Sequence, residues 1–88
     1  MKFSYNLIDL KEENIINDIE KITGKRLSAK DFIYGRNSAL ESIEFVQIIA
    51  FVEDEYVAHK DIDLLYEFSL EYNEIDINGF CGFIKKWI

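Results

Sequence analysis

A serine at the predicted start of a helix is the residue of this chain best placed to do chemistry. Ser42 follows Glu41 and opens an apolar run that includes Phe45 and Val46. The first turn of a helix has backbone amides without intrahelical partners and lies at the positive end of the helix dipole, so it favours an anion such as phosphate. A hydroxyl exposed there can carry a group attached through phosphate. The plainer alternative is a serine that caps the helix or lies on its surface.

Other reactive residue types lack the partners that catalysis or metal binding needs. His59 is the single histidine and Cys81 the single cysteine, so no triad, internal disulfide or cysteine cluster is indicated. Asp61 and Asp63 lack the spacing of a calcium loop and are typical of a solvated helix start. We therefore expect no metal site and no intrinsic enzyme activity. Cys81 should pack as a small apolar side chain.

Charge is distributed unevenly along the chain. Residues 1–36 hold seven Lys and Arg against six Asp and Glu, whereas residues 37–88 hold three against eleven. The acidic part contains Ser42. Such a field repels nucleic-acid phosphates and attracts basic protein surfaces, so we expect protein partners and no nucleic acid. A solvated, solubilising face is the plainer interpretation.

Length and composition predict one small globular domain. The chain has 88 residues, within the roughly 50–250 of a single domain, and 49% of them are hydrophobic, too many for a disordered tail. No apolar run approaches the roughly 18 residues of a membrane span, and the N-terminus lacks the apolar core of a signal peptide. We expect a cytoplasmic domain over residues 1–88, in which residues 1–10 form either an extended arm or a first helical turn.

Apolar periodicity predicts four helices joined by loops, with no convincing strand after the first ten residues. Helix one covers residues 11–23 and stops at Gly24, and a long loop follows over residues 25–37. Helix three is short and covers residues 61–70. Its inward side chains are predicted to be Ile62, Leu65 and Phe68, or Leu64 and Phe68.

Helix two contains the candidate serine. It begins at Ala39 or at Ser42 and ends at about Val57. Ser38 and Glu41 fit a capping box for the earlier start, and both starts leave Ser42 in the first turn. The predicted inner stripe consists of Ile43, Val46, Ile49, Val52 and Tyr56, widened by Phe45 and Ile48.

The last helix begins after Asp76, which is a good N-cap residue. Its predicted inner face consists of Ile77, Phe80, Ile84, Trp87 and Ile88. Gly79 and Gly82 each weaken a helix by roughly 1 kcal/mol relative to alanine. We expect them to permit close packing against a neighbouring element.

The segment from Gly35 to Tyr56 resembles, without a gap, the prosthetic-group site of acyl carrier proteins. Glu41-Ser42-Ile43 stands where that family has an acidic residue, serine and an aliphatic residue, usually Asp-Ser-Leu. Gly35 and Leu40 match residues before the motif, and the run 53–56 matches the acidic and aromatic end of the family's second helix. A weaker match covers residues 76–80. The resemblance implies an all-α, acyl-carrier-like four-helix bundle with three longer helices and one short helix.

The resemblance also implies a function. Acyl carrier proteins bear 4'-phosphopantetheine on this serine, so Ser42 would tether acyl intermediates as thioesters and the protein would shuttle them between enzymes. The implied partners of this monomer are a phosphopantetheinyl transferase, an acyl-activating enzyme or synthase, and an acyltransferase or condensing enzyme. The predicted docking residues are Glu41, Glu44, Gln47, Glu53 and Asp54; Gln47 stands where fatty-acid carriers generally have an acid.

Two further expectations concern cargo and pathway. An acyl pocket between helices two and three would lie near Val46 and Ile62, since ligand sites in bundles are built from facing helices. Glu41 and Ile43 replace the usual Asp and Leu, and residues 57–75 depart most from the family; these departures favour a specialised biosynthetic or envelope-modification carrier. The alternative is an acidic helical binding module, such as an immunity or inhibitor protein or an unmodified carrier-like subunit. These hypotheses differ in whether Ser42 is modified.

Overall fold

Four helices and a two-stranded sheet are formed by residues 10–58 and 61–88, the part of the chain that the computed structural model describes. In chain order the elements are α1 Glu12–Thr23, β1 Phe32–Tyr34, α2 Ser42–Tyr56, α3 Leu64–Glu71, β2 Ile75–Asp76 and α4 Ile77–Lys85. This mostly helical architecture confirms the predicted class at that level. Two helices are short instead of one, because α3 has 8 residues and α4 has 9, against 12 in α1 and 15 in α2.

Both ends of α1 follow from local sequence. The helix begins one residue later than predicted and ends at the predicted glycine, since Gly24 adopts a left-handed conformation (φ 79°) and its amide donates to the Glu20 carbonyl at 2.8 Å. The question of an N-terminal arm concerns residues 1–9, which lie outside the described residues. Leu10, the next residue, is buried in the core.

The small sheet was not predicted. β1 and β2 pair in antiparallel fashion, with Phe32 opposite Asp76 and Tyr34 opposite Ile75. Strands of three and two residues are too short to show the alternation from which a strand is recognised. The pairing joins the loop that precedes α2 to the start of α4, so it brings residues about forty positions apart in the chain to the same side of the molecule.

The predicted inner stripe of α2 is wrong at two positions. Ile43 is 62% exposed and Val46 is 42% exposed, whereas the buried residues are Phe45, Ile48, Ile49 and Val52. Seven of the eight residues from Phe45 to Val52 are apolar, so periodicity alone allows more than one stripe. The face turned to the core is the one that buries the large Phe45 ring.

Aromatic side chains fill the interior between α2, α3 and α4. The ring centroids of Phe45 and Phe68 lie 4.9 Å apart, and those of Phe45 and Phe80 lie 5.8 Å apart. In α3 the inward pair is Leu64 and Phe68, the second of the two predicted sets, while Leu65 is 39% exposed. The core is therefore set by aromatic packing.

A buried polar contact joins α1 to the end of α2. The Tyr56 hydroxyl donates to Asp18 Oδ2 at 2.7 Å, and Asp18 is buried. Burial of the phenol, followed by this contact with the carboxylate, raises the pKa of Tyr56. The pair satisfies a carboxylate that would otherwise be costly to bury.

The inner face of α4 largely matches the prediction. Ile77, Phe80 and Ile84 are buried, and Cys81 is buried as expected of a small apolar side chain, while Trp87 and Ile88 are partly buried against the core. A Cβ atom on Gly79 would lie 3.0 Å from Ile75 Cγ1, so this glycine does permit close packing. The same expectation is wrong for Gly82, where a Cβ atom would meet no other atom within 4 Å.

Candidate functional site

Ser42 is the first residue of α2 and is exposed. The N-cap is Glu41, with an extended backbone, so the earlier helix start is wrong. Ser38 instead closes a local turn, in which its hydroxyl donates to the Leu40 carbonyl at 2.7 Å and accepts from the Leu40 amide at 3.0 Å. Among the described residues, the backbone amides of Ser42 and Ile43 have no acceptor. The serine hydroxyl thus lies beside two free donors at the positive end of a helix.

Glu44 holds this helix start in place. Its Oε1 atom accepts from the Glu41 amide at 2.9 Å and from Lys25 Nζ at 2.8 Å. These two contacts, with the lysine the larger cause, hold the pKa of Glu44 below its usual value. Lys25 Nζ also lies 3.4 Å from the Ala39 carbonyl oxygen, so it fixes the residues just before the helix. Glu44, predicted as a docking residue, is therefore engaged within the chain.

The other predicted docking residues divide into two groups. Glu53 is half-buried and its Oε2 accepts from the Leu64 amide at 2.9 Å, which attaches the start of α3 to α2. Glu41, Gln47 and Asp54 are exposed. Since Gln47 and Asp54 are seven positions apart, they lie on one face of the helix.

Two apolar side chains share this exposed face. Ile43 and Val46 are close in sequence to Gln47 and project from the outer side of α2, as their exposure shows. Sequence reasoning assigned both to the core. An exposed isoleucine and valine bordered by acidic and amide side chains form a surface that a partner protein can cover.

A pocket of about 230 Å³ opens beside Ser42. Its lining residues come from three places in the chain: the β1 segment, the start of α2, and the loop between α3 and β2. They are Ile33, Tyr34, Gly35, Ser38, Leu40, Ser42, Phe45 and Asn73. Sequence reasoning did not place Asn73 at the site, and it favoured a core role over a pocket role for Tyr34. The pairing of β1 with β2, which was not predicted, brings both to the serine.

Gly35 allows the two walls of this pocket to approach closely. Its φ is +111°, which disfavours other residues, and a Cβ atom there would lie 2.5 Å from Glu74 Cβ and 3.1 Å from the Asn73 carbonyl oxygen. A glycine before the serine motif was noted from sequence. Its structural reason is this contact with the loop that follows α3.

Val46 and Ile62 are placed differently from the predicted acyl pocket. Val46 lies on the exposed surface, so it does not border the bundle interior. Ile62 is partly buried and lines an open groove of about 410 Å³ with Ala50, Glu53, Asp54 and Ala58. The volume adjoining the serine is the pocket lined by Tyr34 and Phe45.

The described residues contain no group of three or more His, Cys, Asp or Glu side chains that could hold a metal ion. Asp63 caps α3 by accepting from the Tyr66 amide at 3.1 Å, in agreement with its expected place at a helix start. His59 lies outside the described residues. Within the described ranges, no helix has the length and apolar character that crossing a membrane requires.

The fit of a phosphate-linked group to this site follows from the contacts above. Ser42 offers an exposed hydroxyl, the amides of Ser42 and Ile43 offer two donors, and the adjoining pocket offers a place for a covalently attached chain. No protein-family model, no curated protein and no solved structure significantly matches the chain. The function must therefore be argued from the site.

Proposed function

We propose that this chain is an acyl carrier protein that bears 4'-phosphopantetheine on Ser42. The single observation that carries the proposal is the position of Ser42: exposed, first in α2, beside two free amides and at the rim of a pocket. When attached, the group supplies a thiol that holds acyl intermediates as thioesters. The four-helix architecture of the described residues is compatible with a carrier domain.

Loading requires little chemistry from the chain itself. The Ser42 hydroxyl oxygen attacks the coenzyme A phosphate that bears the pantetheine; the new O–P bond forms as the pyrophosphate bond breaks, and adenosine 3',5'-bisphosphate leaves. The hydroxyl proton passes to a base supplied by the transferase. The free amides of Ser42 and Ile43 would be available to donate to the phosphodiester that remains. The protein is a substrate of other enzymes, and catalytic residues belong to them.

Docking is proposed on the outer face of α2, which we call the docking face: Glu41, Ile43, Val46, Gln47 and Asp54. The acidic members would attract basic surfaces of the transferase, synthase and acyltransferase, and the two exposed apolar side chains would be covered on contact. Association of this kind is fast, weak and salt-sensitive. Glu44 and Glu53 are left out of the face because they are partly buried and the fold uses their carboxylates, whereas Glu41, whose side chain accepts from the Glu44 amide, is exposed.

The pathway is proposed to be a specialised one. Glu41, Ile43 and Gln47 depart from the residues usual in fatty-acid carriers, and all three belong to the docking face, where a change of residue alters partner choice. Because coenzyme A is the donor for loading, the proposal implies a cytoplasmic protein.

The test is intact mass after incubation with coenzyme A, magnesium and a broad-specificity phosphopantetheinyl transferase. We expect a gain of one phosphopantetheine, lost in Ser42→Ala and kept in Ser38→Ala. Ser38 is the matched control because it is a serine of the same pocket whose hydroxyl is engaged with Leu40. A folded protein that gains nothing here, and that also lacks the group when isolated from its native host, would contradict the proposal and favour an acidic binding module.

A further inference from the structure

The pocket beside Ser42 has one rigid apolar side and one polar side. On the apolar side, Ile33, Leu40 and Phe45 are buried. The Tyr34 ring lies 4.8 Å from that of Phe45 and 5.2 Å from that of Phe68, so the aromatic wall is fixed by the core. On the polar side are Ser38, Ser42 and Asn73.

Several polar groups around the pocket have no hydrogen-bond partner within the described part of the protein. Within the described ranges, the Tyr34 hydroxyl and the Asn73 side-chain amide make no hydrogen bond, and neither does the Ser42 hydroxyl. A purely aliphatic chain that covered these groups would displace water from them without offering a hydrogen bond, at a cost in free energy. The lining therefore matches a segment that combines methyl groups with a hydroxyl and an amide.

We propose that this pocket binds the pantoyl segment of the arm attached to Ser42. The inference rests on the proposed function. The pantoyl segment directly follows the phosphate and consists of a methylene, a carbon with two methyl groups, a hydroxyl-bearing carbon and an amide carbonyl. Its two methyl groups pack on Phe45 and Leu40, and its hydroxyl and amide meet the side chains of Tyr34 and Asn73.

The size of the pocket is sufficient for this segment. A volume of about 230 Å³, at about 30 Å³ for each water-sized group, holds roughly eight non-hydrogen atoms, which is the size of the pantoyl segment. Pockets for whole drug-sized ligands run from about 300 to 1,000 Å³. The remainder of the arm, with its thiol and acyl group, stays outside.

Attachment geometry favours the same segment. Ser42 lines the pocket, so the atoms nearest the phosphodiester reach it without the arm folding back. The acyl group is at the far end of a long tether and would reach the pocket only if that tether doubled over. Binding the first segment would hold the arm against the protein while its thiol end stays available to partner enzymes.

The experiment uses the loaded full-length protein, isotopically labelled, with loading verified by intact mass. We expect nuclear Overhauser contacts between the two geminal methyl groups of the arm and the ring protons of Tyr34 and Phe45. Loaded protein whose geminal methyl groups give sharp signals and no contact with either ring would overturn the inference alone. Contacts from the methylenes of an attached acyl chain in place of those methyl groups would overturn it as well. Failure to load would overturn the proposed function and the inference together.

A pair of asparagine variants separates pocket binding from general surface contact. Asn73→Ala removes a hydrogen-bonding wall residue and should lower the bound-to-free ratio of the pantoyl segment by roughly two- to tenfold. Asn78→Ala, at an exposed asparagine of α4 that does not line the pocket, should leave the ratio unchanged. Equal ratios in both variants would overturn the proposed placement of the pantoyl segment against Asn73. Amide spectra of each variant verify that the fold is retained.

Discussion

The starts of α2 and α4 both follow an acidic N-cap residue, and they differ in how their amides are satisfied. At α4, the Gly79 amide donates to Asp76 Oδ1 at 2.8 Å, and the amides of Ile77 and Asn78 donate to the carbonyls of Asp31 and Ala29, each at 3.0 Å. At α2, the amides of Ser42 and Ile43 have no acceptor among the described residues.

The amides at the start of α4 are therefore paired within the fold, whereas two amides at the start of α2 remain available to a ligand. The start of α4 is closed by backbone carbonyls of the loop just before β1 and directly follows the paired strand β2. The start of α2 is held from the side, by Glu44 and Lys25, without covering the serine. An open amide pair is tolerated because it faces solvent, where water can satisfy it.

The largest effect on stability is expected at Gly35, the glycine that lets the walls of the pocket beside the start of α2 approach closely. Gly35→Ala places a Cβ atom against Glu74 at a positive φ, and it should destabilise the protein by roughly 1–3 kcal/mol. Gly82→Ala is the matched control, since Gly82 lies within α4 with no atom near its would-be Cβ, and it should stabilise by roughly 0.5–1 kcal/mol. Denaturant unfolding measures both. Equal effects of the two substitutions would contradict the close approach of the pocket walls.

Weakening the start of α4 should lower the stability of the protein without slowing the loading of Ser42. Asp76→Ala removes the N-cap acceptor of α4 and should cost about 1 kcal/mol in the free energy of unfolding. Loading at Ser42 should be unaffected at a temperature where the variant is folded. Asp61→Ala, at an exposed aspartate without a capping role, should change stability by less than about 0.5 kcal/mol. Slower loading of Asp76→Ala would show that the two starts are coupled.

The stability that the Glu44 contacts give to the start of α2 should depend on pH. The pKa of Glu44 is lowered in the folded protein, so its contribution to stability is present above the unfolded value of about 4.5 and is lost as the pH falls through the lower folded pKa. The stability difference between the wild type and Glu44→Gln should therefore be constant near neutral pH and shrink below about pH 4.5. Unfolding curves at several pH values measure it. A difference that persisted at low pH would exclude the ionised pair as its source.

The smallest effect on the fold is expected at the far end of the docking face. Asp54→Lys should slow loading several-fold at low salt, with a smaller effect at high salt, and should leave stability unchanged. Glu55→Lys changes the charge equally on the next residue, which is also exposed but points to another side of α2, and should slow loading much less. Initial loading rates at two ionic strengths measure both. Equal slowing by the two variants would indicate net charge instead of a face.

Local sequence was sufficient for some helix ends, and insufficient for the faces. The prediction of a third helix over residues 61–70 places its start three residues too early, since α3 covers Leu64–Glu71. Gly24 ends α1 and Asp76 caps α4 as predicted, because each feature depends on residues within one turn. The positions of Ile43 and Val46 were predicted wrongly, because the apolar run in α2 permits several stripes and only packing selects one. The sequence did not reveal that the fold engages the carboxylates of Glu44 and Glu53, because an acidic helix face does not show which acids make internal contacts.

The sequence by itself determined that helices form, where most of them stop, and that Ser42 occupies a first turn, since these properties depend on propensity and capping over a few neighbouring residues. Tertiary structure alone decided which α2 face is buried, which acids remain on the surface, and that Tyr34 and Asn73 meet beside the serine. Those outcomes depend on contacts between residues distant in the chain, where ring volume, backbone pairing and the absence of a Cβ atom at Gly35 select among arrangements that local pattern leaves equivalent.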